Sequence, residues 1–232
     1  MLAPMALATT LILAPPASEP PKAPADVPRI DPAWKPLGPS LWFDPQGKRV
    51  VLRARVVLRE GPLEHLLCLK GTKEHEAILA TDAVPYQIHA TLIRAGAAPG
   101  HPVRFLPKFE PPAGSPIAIE LQWRYGGTTH RVDARQWIKD ERRNSVLDTD
   151  WVFAGSELVE DPMTKKAVYT ADDGDLITVA NFINAILDLP FASTANDADR
   201  TFVANTDRIP PRGTVVMMFL RPRPTSSPTP RR

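Results

Sequence analysis

The densest group of chemically reactive side chains lies in residues 71–80, which read GTKEHEAILA. This stretch places a cation, an imidazole and two carboxylates at consecutive positions between two apolar segments. Two further histidines follow His75 at spacings of 14 and 12 residues. Neutral imidazole and carboxylate are the usual ligands of zinc-like ions in the absence of thiolates. The sequence therefore predicts a possible divalent-metal site at His75, Glu76, His89 and His101.

The spacing of these residues matches no established metalloenzyme pattern. A helical metalloprotease motif needs a second histidine four residues after His75, but Leu79 stands there. A zinc deaminase motif needs a glutamate at the position of Ala77, together with a later cysteine pair. The competing interpretation is a solvated charged turn that begins at Thr72. Both interpretations stay open, and in an enzyme Glu76 would act as the general base for metal-bound water.

Other polar motifs are weaker. The acidic stretches DDGD at 172–175 and NDAD at 196–199 offer oxygen ligands of the kind that calcium prefers, but neither keeps the calcium-loop pattern. Both are typical of turns. Ser156 lacks the second glycine of a nucleophile elbow, because Leu158 occupies that position.

Segments with strand-like sequence patterns lie between these polar residues, and the strands are expected to position them. Residues 48–59 and 63–70 are rich in Val and Leu and are separated by a Gly-Pro turn. Residues 117–123 alternate apolar and shorter or polar side chains, and Gly126-Gly127 is a strong hairpin signal. Four more strand-like segments follow residue 150. We expect these strands to pair mostly with antiparallel neighbours.

One helix is predicted to start near Pro85 and to end at Gly96. In this helix His89 lies one turn from Ile93, on the same side. Strands with one principal helix predict an α+β fold: a single domain with a mostly antiparallel β-sheet, flanked by disordered proline-rich ends.

The ends of the chain differ in composition from its middle. Residues 1–17 form a short apolar segment that resembles a secretory signal, and it is too short for a transmembrane span. Residues 18–39 are predicted as a proline-rich linker, and 222–232 as a disordered, basic, proline-rich tail. The folded domain is expected at 40–221. This organisation predicts export to the periplasm or the cell envelope.

Charge and cysteine content exclude several classes of protein. The tail from Arg221 onward holds four arginines, twice the whole chain's net charge of +2, so the rest of the chain carries about −2. This lacks the basic surface that nucleic-acid binding requires. Cys68 is the one cysteine, so neither an internal disulfide nor a cysteine-ligated iron–sulfur cluster can form. We expect Cys68 to be a buried strand residue.

The order of several short words resembles the YdjY domain of bacterial proteins over about residues 63–221. These words are KGTKEHEAIL, IHATLIRAGAAPGHPVRF, GSPIAIELQW, WVFAGSELVEDP, DDGDLITVANF, LDLPF and IPPRGTVV. The resemblance implies an exported or envelope-associated protein without an assigned activity. It falls on Lys73, His75, Glu76, His89, Gly96, Gly100, His101, Gly155, Ser156, Asn181, Phe182 and Asp188.

Three hypotheses about function follow. The first is a non-catalytic module that binds a ligand, a metal ion or an envelope protein, with Lys73, Ser156 and Asn181 as ligand-binding residues. The second is a metal-dependent hydrolase built on the histidines and Glu76. The third is a purely structural envelope protein, in which these polar side chains only hold loops onto the sheet.

Overall fold

A computed structural model describes residues 27–194 and 201–224. Residues 1–17, with the predicted signal-like segment, lie outside the described residues. The same holds for most of the predicted linker, for the NDAD stretch at 196–199 and for 225–232 of the predicted tail.

The described residues form one α-helix, eighteen short strands and three single turns of 3₁₀-helix at Ala134–Trp137, Thr170–Asp173 and Thr206–Arg208. The helix is α1 (Pro85–Arg94). The strands are β1 (Lys35–Gly38), β2 (Leu41–Asp44), β3 (Arg49–Val56), β4 (His65–Leu69), β5 (Ala77–Thr81), β6 (Pro99–His101), β7 (Ala113–Gly114), β8 (Pro116–Tyr125), β9 (Thr128–Asp133), β10 (Ile138–Asp140), β11 (Ser145–Val146), β12 (Trp151–Phe153), β13 (Leu158–Glu160), β14 (Ala167–Tyr169), β15 (Asp175–Thr178), β16 (Leu187–Asp188), β17 (Phe202–Ala204) and β18 (Val215–Pro222).

Eight of these strands close into a barrel. Their order around the ring is β3, β18, β8, β12, β16, β15, β4 and β5, and β5 pairs back with β3 through Arg55↔Ala80 and Val56↔Leu79. The predicted α+β fold, a mostly antiparallel sheet with one principal helix, is therefore wrong. The protein is mostly β, and its one α-helix has only ten residues.

Closure depends on pairings that local patterns do not specify. Two of the barrel's neighbouring pairs, β4 with β5 and β15 with β16, are parallel, while the other six are antiparallel. Parallel neighbours usually need a connection of about a dozen residues or more, yet residues 70–76 alone join β4 to β5. A sequence pattern of period two predicts strands, but it does not predict which strands meet.

One apolar core is shared by all eight barrel strands. Every barrel strand contributes at least one side chain that is almost completely buried. In β8, buried and half-buried positions alternate from Pro116 to Arg124, as expected for a strand with one face toward the barrel interior. Representative core residues, in ring order, are Leu52, Met218, Leu121, Trp151, Leu187, Ile177, Leu67 and Leu79.

Two local predictions are confirmed. Helix α1 begins at Pro85, and Gly96 follows its end with a φ of +96°. The hairpin between β8 and β9 turns at Gly126-Gly127, where both glycines have positive φ and Tyr125 pairs with Thr128. Helix α1 packs against β3 and against the 3₁₀ turn at Thr170–Asp173.

The remaining strands lie outside the eight-stranded ring. Strands β1 and β2 extend the sheet beyond β3, so a strand lies within the range 18–39 predicted as linker. Strands β13 and β14 form a separate two-stranded hairpin, and β6 with β7 forms another small sheet. Within residues 27–194 and 201–224, no helix is both long and apolar enough to cross a lipid bilayer.

Candidate functional site

The charged part of residues 71–80, which ends at Glu76, lies in the connection between the parallel strands β4 and β5. It turns back through the bonds Thr72 N–H to Leu69 O and Glu76 N–H to Lys73 O. The solvated turn predicted from Thr72 onward leads into strand β5, AILAT, which is buried at every position. The turn ends beside the first residue of β4, because the backbone N–H of His65 donates to Glu76 O.

A buried ion-pair network connects this turn with the barrel. The Nε2 atom of His65 lies 2.8 Å from Oδ1 of Asp175, and Nζ of Lys73 lies 2.8 Å from the same oxygen. His65 is fully buried, and the side chain of Asp175 is 3% exposed. Burial raises the pKa of Asp175, but hydrogen bonds from His65 and Lys73 and the positive charge of Lys73 outweigh it, so the net pKa is lowered. Asp175 is therefore a carboxylate anion in the folded protein.

Glu64, His65 and Glu76 form the one group of three or more potential metal-ligating side chains found among the described residues. Their ligand atoms lie within 4.8 Å of one another. The second ring nitrogen of His65, Nδ1, has no hydrogen-bond partner among the described residues, although the ring is fully buried. A metal-ligating histidine commonly gives its other ring N–H to a carboxylate, which is how Asp175 holds Nε2. These are residue types that would suit a divalent cation.

Phe182 covers the network on one side. Its ring stacks on the imidazole of His65 at a centroid distance of 5.1 Å, and Nζ of Lys73 lies 5.0 Å from the centre of the same ring. The preceding residue, Asn181, is buried and donates to Asp188 Oδ1 at 3.2 Å and to Leu189 O. Lys73 and Asn181, both predicted as ligand-binding residues, thus make their contacts within the protein.

Asp188 is a second buried carboxyl group near this site. It accepts hydrogen bonds from the backbone N–H groups of Phe182 and Leu189 and from Asn181. These bonds favour the charged form, but complete burial dominates and raises the pKa of Asp188 from 3.8 to about 7. The group therefore stays neutral in the folded state at mildly acidic pH.

This raised pKa predicts a pH dependence of stability. The folded state binds the Asp188 proton more tightly than the unfolded state, so the contribution is complete below pH 3.8 and is lost as the pH rises to about 7. Replacing Asp188→Asn removes this titration. We expect wild type to lose stability relative to Asp188→Asn by up to about 1.4 kcal/mol per pH unit across that window. Urea unfolding at several pH values measures this difference, and a constant difference contradicts it.

His89 and Ser156 belong to a separate polar cluster between α1 and the β13–β14 hairpin. Nδ1 of His89 lies 2.6 Å from Gly155 O and 2.9 Å from Oη of Tyr169, whose hydroxyl also donates to Gly155 O. Burial lowers the pKa of His89. The Oγ atom of Ser156 lies 2.8 Å from Oγ1 of Thr170. The cluster ties the helix to the base of the hairpin, where β13 begins and β14 ends.

The predicted metal ligands do not come together. The side chain of His75 is 76% exposed, and its Nε2 lies 3.6 Å from Oε2 of Glu76. His101 points Nδ1 at Pro102 O, 2.9 Å away, and His89 is held by Gly155. Within the described residues these three histidines and Glu76 form no common ligand group. Binding of a divalent ion stays a prediction, and the candidate ligands in the fold are Glu64, His65 and Glu76.

Sequence reasoning missed three residues of the candidate site. Glu64 and His65 lie in LEHLLCLK, where the apolar residues indicate a strand and conceal the polar pair, and Asp175 lies in a stretch interpreted as a turn. The turn is confirmed at Asp172 and Asp173, but Asp175 is the first residue of β15. Cys68 is buried on β4 as predicted, and burial raises its thiol pKa to about 11.

The fold and the site together define a class: a mostly-β domain with a closed eight-stranded barrel and a buried histidine–carboxylate centre. The sequence model of the YdjY domain matches residues 41–221, most of the chain, and the chain belongs to this family. The family has no assigned function. No curated protein and no solved structure matches the chain.

Proposed function

We propose that this YdjY domain is a non-catalytic module that binds a divalent cation through Glu64, His65 and Glu76. The observation that carries the proposal is Nδ1 of His65, a buried nitrogen without a hydrogen-bond partner among the described residues, on an imidazole that is grouped with the carboxylates of Glu64 and Glu76. An unsatisfied buried polar atom is unfavourable by about 1–3 kcal/mol, so its presence calls for an explanation. Coordination of a cation would satisfy this nitrogen.

The tautomer of His65 supports coordination. Asp175 is ionised and accepts only, so Nε2 of His65 must carry the proton that it shares with this carboxylate. In the neutral ring, the lone pair then lies on Nδ1. Glu64 and Glu76 have other interactions in the fold, so the cation would have to share these carboxylates, whereas Nδ1 of His65 has no hydrogen-bond partner among the described residues.

The ligand set indicates the kind of cation. One imidazole and two carboxylates balance the charge of a divalent ion, and they suit zinc or manganese better than calcium, which prefers oxygen ligands alone. If Glu76 is a ligand, it cannot serve as the general base of the hydrolase hypothesis. The non-catalytic function is therefore the better supported one.

Titration of the metal-free protein with Zn²⁺ in a calorimeter tests this proposal. We expect one ion per chain for wild type, a loss of at least about 10-fold in affinity for His65→Ala, and less than a twofold change for His75→Ala. His75 is the matched control, because it is also a histidine close to Glu76, but its side chain is exposed. Circular dichroism checks the folding of each variant.

Because His65→Ala also removes the buried hydrogen bond to Asp175, Glu76→Gln gives a second, milder test. The side chain keeps its shape and loses only its charge, and the affinity for Zn²⁺ is expected to fall as well. Equal affinity in wild type, folded His65→Ala and Glu76→Gln would contradict the site. Loss of binding in His75→Ala alone would favour the surface histidine instead.

Export to the periplasm or the cell envelope is a separate part of the proposal. Its support is the apolar segment at residues 1–17, which lies outside the described residues. Cell fractionation checks it, and recovery of the full-length chain from the cytoplasmic fraction alone would contradict it.

A further inference from the structure

A cavity of about 360 Å³ lies on the outer face of the barrel, where β3 passes between β18 and β5. Ala54 of β3 packs in the barrel core, and side chains alternate along a strand, so its neighbours Arg53 and Arg55 lie on the outer face. Arg55 is flanked by Ala80 of β5 and Val215 of β18, which are both almost fully buried. The volume of the cavity suits a small molecule.

The charged side chains around this cavity form no ion pairs with one another. Three cations and two carboxylates line it: Arg53, Arg55, Lys70, Glu74 and Asp82. Within residues 27–194 and 201–224, none of the five has an oppositely charged group within 4.0 Å. By contrast, Arg49 lies on the same face of β3 and pairs with Asp44 at 2.7 Å. The cations of the cavity are therefore not neutralised by a carboxylate in contact with them.

Neutral groups hold both arginines of the cavity. Nε of Arg53 donates to Oγ of Ser40 at 3.3 Å, and its guanidinium lies 5.6 Å from the centre of the Trp42 ring. Nη1 of Arg55 donates to Gly213 O at 2.6 Å. Each guanidinium uses only one of its several N–H groups in these bonds, so both keep their charge and further donors for a ligand. Arginine binds phosphate through two such N–H groups at once.

The presence of both signs of charge at one cavity selects against simple ions. Glu74 and Asp82 repel an anion, and the arginines and Lys70 repel a cation, whereas a ligand with both charges is attracted by both sets. Oε1 of Glu74 accepts from Gly71 N–H at 2.9 Å, and a carboxylate accepts further hydrogen bonds. Three cations against two carboxylates leave one positive charge. The complementary ligand carries one net negative charge.

We propose that this cavity binds a small phosphate monoester that also carries an ammonium group. Such a molecule has a charge of about −2 on its phosphate and +1 on its nitrogen, which matches the charges of the cavity. The phosphate binds to the three cations, and the ammonium group donates to the two carboxylates. A lipid headgroup can offer the same two groups, but its phosphate is a diester with a single negative charge, so the charge balance favours the monoester.

This site goes beyond the proposed cation site. No residue that lines the cavity belongs to the group of Glu64, His65 and Glu76. Variants of the cavity are therefore expected to bind Zn²⁺ like wild type, and the two proposals can fail independently.

Calorimetric titration of the full chain with O-phosphoethanolamine tests the site. We expect one molecule per chain for wild type and a loss of at least about 10-fold in affinity for Arg53→Gln, which removes a charged hydrogen-bond donor. Lys70→Gln is expected to weaken binding as well, and its exposed side chain makes no ion pair whose loss would unfold the protein. Arg49→Gln is the matched control and is expected to change the affinity less than twofold. Absent binding by wild type, or one affinity shared by wild type, Arg53→Gln and Lys70→Gln, overturns the proposal.

Three further ligands test the chemistry of the site. Inorganic phosphate and ethanolamine each carry only one of the two charged groups, and glycerophosphoethanolamine carries the phosphate diester of a lipid headgroup. Each is expected to bind at least about 10-fold more weakly than O-phosphoethanolamine. In Glu74→Gln combined with Asp82→Asn, the preference over inorganic phosphate is expected to vanish, because no carboxylate then repels the anion or attracts the ammonium group. Tighter binding of inorganic phosphate or of the diester to wild type, or an unchanged preference in the double variant, overturns the proposed ligand class.

Discussion

Asp175→Ala is expected to lower the free energy of unfolding by about 3–5 kcal/mol, because it breaks a buried ion pair by removing one partner. His65 loses the acceptor of its Nε2, and Lys73 loses its carboxylate 2.8 Å away. His65 and Asp175 are almost fully buried, so water screens their interaction very little. The same change is expected to weaken cation binding by about 10- to 100-fold, because the carboxylate that orients the ligating imidazole is gone. Urea unfolding and Zn²⁺ titration measure the two effects.

Asp172→Asn is the matched control for this variant. Asp172 lies three residues earlier and is exposed, and the partial burial of its carboxyl group, together with the neighbouring Asp173, raises its pKa. We expect its effect on stability to stay within about 0.5 kcal/mol. Equal effects of the two substitutions would show that the ion pairs of Asp175 do not stabilise the fold.

Gly174→Ala is expected to destabilise the protein by about 2–4 kcal/mol, the sum of backbone strain and overpacking. Gly174 has a φ of +113°, and an added Cβ would lie 2.3 Å from Oγ1 and 2.9 Å from Cβ of Thr72. Thr72 opens the turn that carries Lys73 and Glu76, so the substitution pushes this turn away from the barrel. The affinity for Zn²⁺ is therefore expected to fall together with the melting temperature.

Gly71→Ala separates the effect of backbone strain from the effect of displacing the turn that carries Lys73 and Glu76. Gly71 also has a positive φ, +81°, but an added Cβ there meets no atom within 4 Å. We expect a loss of about 1–2 kcal/mol from strain alone, with cation affinity unchanged. If Gly71→Ala and Gly174→Ala reduce affinity equally, close packing of the turn on Gly174 does not position the site.

Local features of this fold were predictable from the sequence. Pro85 and Gly96 bracket α1, and Gly126-Gly127 turns the β8–β9 hairpin, because each depends on a backbone preference of a single residue. Barrel closure was not predictable. It requires β5 to run parallel to β4 and antiparallel to β3, and side-chain alternation carries no information about the partner of a strand.

In the candidate site, too, local features were predictable from the sequence and contacts between distant strands were not. The sequence identified residues 71–80 as rich in potential ligands. Lys73 does take part in the buried network, and Glu76 belongs to the candidate ligand group. It did not identify His65 or Asp175, which lie 110 residues apart and meet only because β4 pairs with β15. His75 was the more conspicuous histidine because it lies among charges. In the fold, that neighbourhood is the solvent-exposed side of the turn.

A crystal structure of the protein grown with Zn²⁺, with anomalous diffraction recorded above and below the zinc edge, would locate the cation. We expect one ion about 2.0–2.1 Å from Nδ1 of His65, with oxygens of Glu64 and Glu76 completing the protein ligands. An ion bound at His75 alone, or no anomalous peak within bonding distance of His65, would contradict it.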